Sequence, residues 1–393
     1  MPPNPFEELQ RLASESGVDK SFDFLEQRFR HDKDYFKLFE VLKMRCRNRL
    51  GLPIVYSQQP DDLSEEQQRQ LEDGLLDACR EVGTLFFESG QFQEGWMYLQ
   101  PVGDKALTEK LFRSIEPDQE NADALIDIMV SQGAAPAYGY SLLLKQYGTC
   151  DGVTTFDTQA ARFDRATQQE MASTLLGHLY EELIDNIKGS IKQHMPAAEE
   201  SEPSSSLSEL MNQHPDLTSD GAHHIDATHL ASLMRIARLV TDRSDLERAA
   251  ELAQYGSQLA KDLQYPGDPP FEDTYVDHAL FYRALLGKNV DEAVAHFEKK
   301  IENSELAPTG SIPQETMIDF LVRLNRNDEA LAVAMTQLLG KHEPLGIAPA
   351  AFDIAQTPSS LTRLMEFYQS EDDLLGFAVS LLKRKSMENK SAK

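Results

Sequence analysis

Residues 221–229 read Gly-Ala-His-His-Ile-Asp-Ala-Thr-His, which puts three of the chain's ten histidines and one carboxylate inside nine positions. Neutral imidazoles with a carboxylate are what zinc and related divalent ions take as ligands, and an imidazole is the usual proton acceptor near neutral pH. His223, His224, Asp226 and His229 are therefore the candidate metal set. A second segment, 265–287, follows a turn built from Pro266, Gly267, Pro269 and Pro270 and carries Asp273, Asp277 and His278. These become second-helix contributors if the two segments lie side by side. The competing reading is local. Asp226 or Thr228 is placed to accept from the unpaired amides of a helix starting near 229, and Asp273 or Thr274 is so placed for the next helix. Only His229 falls on the first of these helices, so the spacing matches no established ligand motif. Under the capping reading no cofactor is expected; under the other, a divalent transition metal such as zinc.

Cys150 lies in "YGTCDGVTTFD" (147–157), between Gly148 and Gly152. A nucleophilic thiolate needs an imidazole or a helix N-terminus to lower its pKa, and no histidine is near in sequence. The expectation is a tight inter-helix turn, with a reactive thiol as the rival reading. Neither G-x-x-x-x-G-K-[ST] nor G-x-G-x-x-G occurs, which sets aside nucleotide binding by those routes. No residue can be assigned a catalytic role from sequence.

The elements that must position these groups read as helices. In "HLASLMRIARLV", Leu230, Leu233, Met234, Ala237 and Val240 recur at steps of three and four, the apolar stripe of an amphipathic helix. Phe22, Phe24, Phe29, Tyr35, Phe36 and Phe39 fall at helical spacing in the first helices and read as core. "GLPIVYS" (51–57) and "GVTTFD" (152–157) are the only strand-like runs, too short to stand alone, and are read as loops. The fold class is all-α.

Small residues recur where paired helices would cross. Cys79, Val82, Gly83 and Phe86, then Gly95 and Leu99, form one unit, with Gly90 in the turn between. Leu233, Ile236, Ala237 and Val240, then Ala249 and Ala253, form another; Ala293 and Phe297, and Ala330 and Ala334, mark two more. Asp-Glu-Ala triplets begin at Asp291 and Asp328, an interval of 37 residues. In these positions the chain resembles a degenerate tetratricopeptide repeat, whose period is about 34 residues. The likeness covers roughly 75–105 and 230–385 and lacks the pattern's first-position Trp; Trp96 falls in a second helix. The resemblance implies an α-solenoid of stacked helical hairpins, as one array or in two halves. It places the shared histidine edge on two adjacent, parallel first helices.

"MPAAEESEPSSSLSELMNQHPDL" (195–217) is rich in Pro, Ser, Ala and Glu. Its composition points to a helical domain over 1–195, a linker or loop over 196–216 and a helical-repeat domain over 217–393. Sixty-five Asp and Glu against 38 Lys and Arg give a formal net charge of -27. Such a chain repels nucleic acid and anionic membranes, and no apolar run approaches the roughly 20 residues of a membrane span. The basic end "LLKRKSMENKSAK" reads as complement to a helix dipole. No export signal is evident, and three widely spaced cysteines fit a reducing compartment, so a cytoplasmic location is expected. These features lead to a non-enzymatic adaptor that binds a protein or peptide, preferably basic, on a concave face. A metal protein or hydrolase built on the histidine cluster is the alternative. Oligomeric state is not legible.

Overall fold

The computed structural model of the chain describes residues 4–55, 63–194, 206–303, 310–341 and 343–391. Among them there is no β-strand, and the elements are helices throughout. In order these are α1 (Pro5–Glu15), α2 (Val18–His31), α3 (Tyr35–Arg49), α4 (Glu65–Glu88), α5 (Phe92–Leu99), α6 (Lys105–Arg113) and α7 (Ala122–Ile126). Next come α8 (Pro136–Gln159), α9 (Arg165–His194), α10 (Leu207–Gln213), α11 (Ala227–Ile236), α12 (Arg243–Gln258) and α13 (Thr274–Leu285). The chain ends with α14 (Val290–Asn303), α15 (Ile312–Arg323), α16 (Asn327–Val333), α17 (Ala351–Ile354), α18 (Pro358–Ser370) and α19 (Leu374–Ser391). The all-α expectation holds.

The chain forms two compact units, residues 1–148 with 157–167, and residues 149–156 with 168–393. Of the expected linker, 196–205 lies outside the described residues. The part beyond it folds: α10 buries Leu207, Leu210 and Met211, and Ser206 accepts from the Glu209 amide at its start.

In the first unit, helix starts are set by short oxygen side chains. Asn4 accepts from Phe6 N, Asp34 from Lys37 N and Asp104 from Leu107 N, while Ser64 and Gln67 form a reciprocal capping box on α4. Tyr35 and Leu38 of α3 pack on Val82 and Phe86 of α4. A second apolar cluster joins Phe87, Trp96, Leu99, Phe112, Leu125 and Ile128. The α4–α5 hairpin closes at Gly83 and Gly95. A Cβ at Gly83 would lie 2.7 Å from the Leu99 side chain, and one at Gly95 would lie 2.3 Å from the Phe87 ring. Phe36 departs from the core reading: it is half exposed, though its ring contacts Phe86 and Tyr98.

In the second unit, Leu230, Leu233, Met234, Ala237 and Val240 are all buried, as their spacing predicts. Tyr275 and Tyr282 of α13 donate to the carbonyls of Ala227 (3.5 Å) and Met234 (2.6 Å) on α11. Both pairs have the same offset in sequence, so α11 and α13 run parallel and in register. Helix α12 meets α13 where Gly256 makes room for the Tyr275 ring. Phe271, Phe281, Phe297 and Phe320 fill the space between the loop before α13 and helices α13, α14 and α15.

Residues 149–159 differ from expectation. The β-branched run "GVTTFD" is helical, and Cys150 sits exposed on that helix rather than in a turn. Only Gly148 leaves the helical region, at φ 79°, and it breaks α8 in two. Burial of Val153 and Phe156 outweighs the weak helix preference of this stretch.

Gly95→Ala tests the crossing. Ala favours a helix over Gly by about 1 kcal/mol, but overpacking against Phe87 costs about 1–3 kcal/mol. Gly189 on α9 is exposed, with no atom near its missing Cβ. Gly95→Ala is expected to lower the urea midpoint followed by Trp96 fluorescence, and Gly189→Ala to leave it unchanged while raising the second unit's midpoint by circular dichroism. A Gly95→Ala midpoint at or above wild type would refute the close crossing.

Candidate functional site

The histidine segment is used to start α11. Asp226 is the N-cap and accepts from Thr228 N (2.8 Å), Thr228 Oγ1 (2.5 Å) and His229 N (3.3 Å). The bond from Thr228 keeps its carboxyl below the usual carboxylate range. His224 donates its backbone amide to the Tyr255 hydroxyl (2.9 Å), and its ring Nδ1 lies 3.3 Å from the same oxygen. Burial, and secondarily His223, pushes its imidazole down. His223 is exposed, with Nδ1 3.3 Å from the Gly221 carbonyl. Asp226 thus serves as the cap of α11, while His224 is held by Tyr255 of α12. Among the described residues no group of three or more His, Cys, Asp or Glu side chains is placed to hold a metal ion.

The second segment divides its residues between two sides of α13. Asp273 is the N-cap by position but makes no side-chain capping bond; instead its amide donates to Asp277 Oδ2 (2.9 Å). Asp277 is only 1% exposed and turns toward α14, where its carboxylate meets His296 Nε2 (2.7 Å) and Lys300 Nζ (2.5 Å). Glu272 also reaches Lys300, at 2.6 Å. Burial works against the Lys300 ammonium, but Asp277 and Glu272 outweigh it and raise its pKa. The cluster clamps α13 to α14.

His278 turns the other way and is 2% exposed. Its ring stacks on Phe271 (centroids 4.2 Å apart, planes 18°), and Nδ1 lies 2.6 Å from the Thr274 carbonyl. A carbonyl only accepts, so Nδ1 carries the hydrogen and Nε2 is left as a bare acceptor. Nε2 is buried and has no hydrogen-bond partner. Burial, helped by the nearby Arg238 charge, lowers the imidazole pKa to about 3, so the ring is neutral.

A cavity of about 190 Å³ opens here, lined among others by Ser232, Arg235, Arg238, Gly267, Phe271 and His278. Arg238 lies over the Phe271 ring, its guanidinium carbon 4.8 Å from the centroid, and its Nε donates to the Arg235 carbonyl (3.1 Å). Among the described residues no carboxylate forms an ion pair with it, although Asp268 and Asp319 are close enough to act on its charge. Burial pulls its pKa down from the ordinary value, yet a guanidinium stays cationic. Gly267 forms part of the wall because a Cβ there would lie 2.3 Å from the Phe271 carbonyl oxygen. The result is a small recess lined by a guanidinium that has no ion-pair partner among the described residues and by a neutral imidazole whose buried Nε2 lacks a hydrogen-bond partner.

Sequence reasoning singles out His278 but misses Arg238, Phe271 and the α14 partners of Asp277. Arg235 and Arg238 occupy positions i and i+3 on the polar side of the stripe, which looks like solvated surface. Only the return of the 266–274 loop over them makes a site. A larger cavity of about 550 Å³ in the first unit is walled by Glu26, Arg45, Cys46, Gly74 and Glu81. Several of its charges are matched: Arg45 binds Glu26 and Asp23, and Arg30 binds Glu26 and Glu81.

The depressed imidazole makes stability depend on pH with a definite sign. Between pH 6.5 and about 3 the unfolded chain binds a proton at residue 278 that the folded chain refuses, so stability falls as pH drops through that window. In urea titrations, wild type is expected to lose about 2–3 kcal/mol relative to His278→Phe between pH 7 and pH 4.5. Parallel pH curves for the two proteins would mean the ring titrates normally.

In comparison with known proteins, the chain matches no family model, no curated protein and no solved structure.

Proposed function

We propose that the chain is a non-enzymatic helical-repeat adaptor whose recess at Arg238 and His278 anchors one side chain of a protein or peptide partner. The in-register pairing of α11 with α13 supports a tetratricopeptide-like stacking of hairpins. So does the burial of Ala237, Ala249, Ala293 and Ala330 at their crossings. Repeats of that kind bind extended segments on one face.

The observation that carries the reading is the recess itself. Arg238 spends its Nε–H on the Arg235 carbonyl and has no carboxylate partner among the described residues, while His278 Nε2 is an acceptor without a donor. A side-chain carboxamide carries both complements, an N–H₂ that donates to an imidazole nitrogen and a carbonyl that accepts from a guanidinium. A carboxylate satisfies only the arginine and leaves Nε2 unpaired. The preferred anchor is therefore Asn or Gln. The net charge of -27 favours basic residues around that anchor through long-range attraction. Three thiols without a disulfide among them suit a reducing, cytoplasmic setting.

A displayed peptide library panned in parallel on wild type and Arg238→Ala tests this. Enriched sequences are expected to share an Asn or Gln flanked by Lys or Arg. Their affinity should fall about tenfold or more in Arg238→Ala, the size expected for an interfacial hydrogen bond to a charged donor. Enrichment indifferent to Arg238, or none at all, would remove the adaptor site from this recess.

A further inference from the structure

Helix α19 is apolar on two opposite faces. One face is seated: Gly376 and Ser380 are buried, and a Cβ at Gly376 would lie 2.4 Å from the Tyr368 ring of α18. Arg384 donates to Thr362 Oγ1 at 3.1 Å, and Lys383 reaches the Phe352 carbonyl. The other face carries Leu374, Leu375, Val379 and Leu382, and the three leucines are 81%, 76% and 68% exposed. With about 3.6 residues per turn, residues 375, 378, 379 and 382 form one continuous stripe on that side, and the polar Lys385 and Asn389 continue it toward the C-terminus. No described residue covers it. A solvated helix face is normally polar, so four large exposed aliphatic side chains on one side of α19 mark a contact surface.

The charges around the stripe identify the occupant. Glu371, Asp372 and Asp373 stand immediately before α19, and Lys383, Arg384 and Lys385 stand near the other end of the stripe. An antiparallel copy of the same helix, centred between Ala378 and Val379, brings Leu375 opposite Leu382. The same register brings the acidic turn before each copy, with Asp372, toward the basic end of the other, with Lys385. Both are exposed. A parallel arrangement would oppose acid to acid at one end of the contact and base to base at the other.

We propose that the exposed stripe of α19 is a homodimer interface, in which two copies of this chain pair their last helices antiparallel about a two-fold axis near Ala378 and Val379. The contact is isologous, each copy giving the same surface, which is the commonest way for a soluble chain to self-associate. The two chains repel through their shared negative charge, but that repulsion is screened beyond about 8–10 Å at physiological salt, while the facing charges act at closer range. One helix face per copy is a small interface, so a Kd of about micromolar order is expected.

Sedimentation equilibrium of the full chain between about 1 and 200 µM reads this directly, with circular dichroism as a check on folding. Wild type is expected to show a reversible monomer–dimer equilibrium. Leu382→Glu, at an exposed position, should remain folded and stay monomeric across the range. Lys385→Glu should weaken the dimer about five- to tenfold, and adding Asp372→Lys in the same chain should restore most of it, because each copy then carries both reversed partners. Val379→Cys in a Cys150→Ser background should cross-link to its own copy under mild oxidation. A wild-type monomer at every concentration, a dimer indifferent to Leu382→Glu, or a double charge reversal that fails to rescue would each overturn the proposal.

Discussion

The second unit depends on the place where α12 and α13 touch. Gly256 has no side chain, and the Tyr275 ring occupies the space that a Cβ would take, at 2.2 Å. Seated there, Tyr275 can pass its hydroxyl to the Ala227 carbonyl at the start of α11, and one helical heptad later Tyr282 does the same to Met234. Three helices are thus placed by one missing methyl group and two phenols. The register of α13 on α11 then decides what lies beside what: His278 comes within reach of the Arg238 charge, and Phe271 slots between them and Phe281. The α4–α5 hairpin, through Gly83 and Gly95, and the α18–α19 hairpin, through Gly376 and Tyr368, use the same device. Close approach of backbones raises the number of dispersion contacts per turn, and the interior has no slack to absorb an extra carbon.

Buried polar groups then fasten what the glycines bring together. Arg323 of α15 donates to the carbonyls of Arg238 and Val240, both at 2.5 Å, ending α11 and its short 3-10 extension with the partners those last carbonyls lack within the helix. That holds the backbone of Arg238 while its side chain keeps only the Arg235 carbonyl and the Phe271 face. Glu315, also buried, accepts from Ser311 Oγ (2.7 Å) and from the amides of Leu345 (2.6 Å) and Ile347 (2.8 Å), tying the loop after α16 to the start of α15. Asp277 does comparable work between α13 and α14. Withdrawing such carboxylates from water costs several kcal/mol each unless every lone pair finds a donor, and here the donors come from three different helices and a loop.

The degree to which this was legible follows from the range of each interaction. Periodicity is local, so the α11 stripe from Leu230 to Val240 could be read and is buried throughout. Small residues at helix crossings also leave a local trace, and the positions chosen at 83, 95, 237, 249, 293 and 330 are all buried. Asp226 as a cap is local as well. By contrast Asp277 acquires meaning from His296 and Lys300, a helix away, and nothing in "TYVDHALF" announces them. Arg238 looks like one more solvated base until the 266–274 loop folds over it. The 152–157 run misleads for the opposite reason: its β-branched residues argue against a helix locally, and packing of Val153 and Phe156 prevails. The stripe on α19 was masked by its neighbours, since a basic chain end has a sufficient explanation in the helix dipole and draws attention away from the leucines before it.

Charge links the recess to its surroundings. Many of the acidic side chains are matched along their own helices, as in Glu8 with Arg11 or Glu109 with Arg113, yet 65 carboxylates against 38 bases leave a strong negative field. Surface pairs of this kind contribute little stability, so the excess acid is better understood through what it attracts and repels. A freely diffusing anion approaching Arg238 must cross that field, with Asp268 and Asp319 nearby, before it gains from the guanidinium. Under the proposed adaptor reading, a neutral anchor on a basic segment meets no such barrier, because the field attracts the segment. The neutral state of His278 is part of the same discrimination, because a protonated ring beside Arg238 would turn the recess into an anion site. Burial of one imidazole on Phe271 thus keeps a second positive charge away from Arg238.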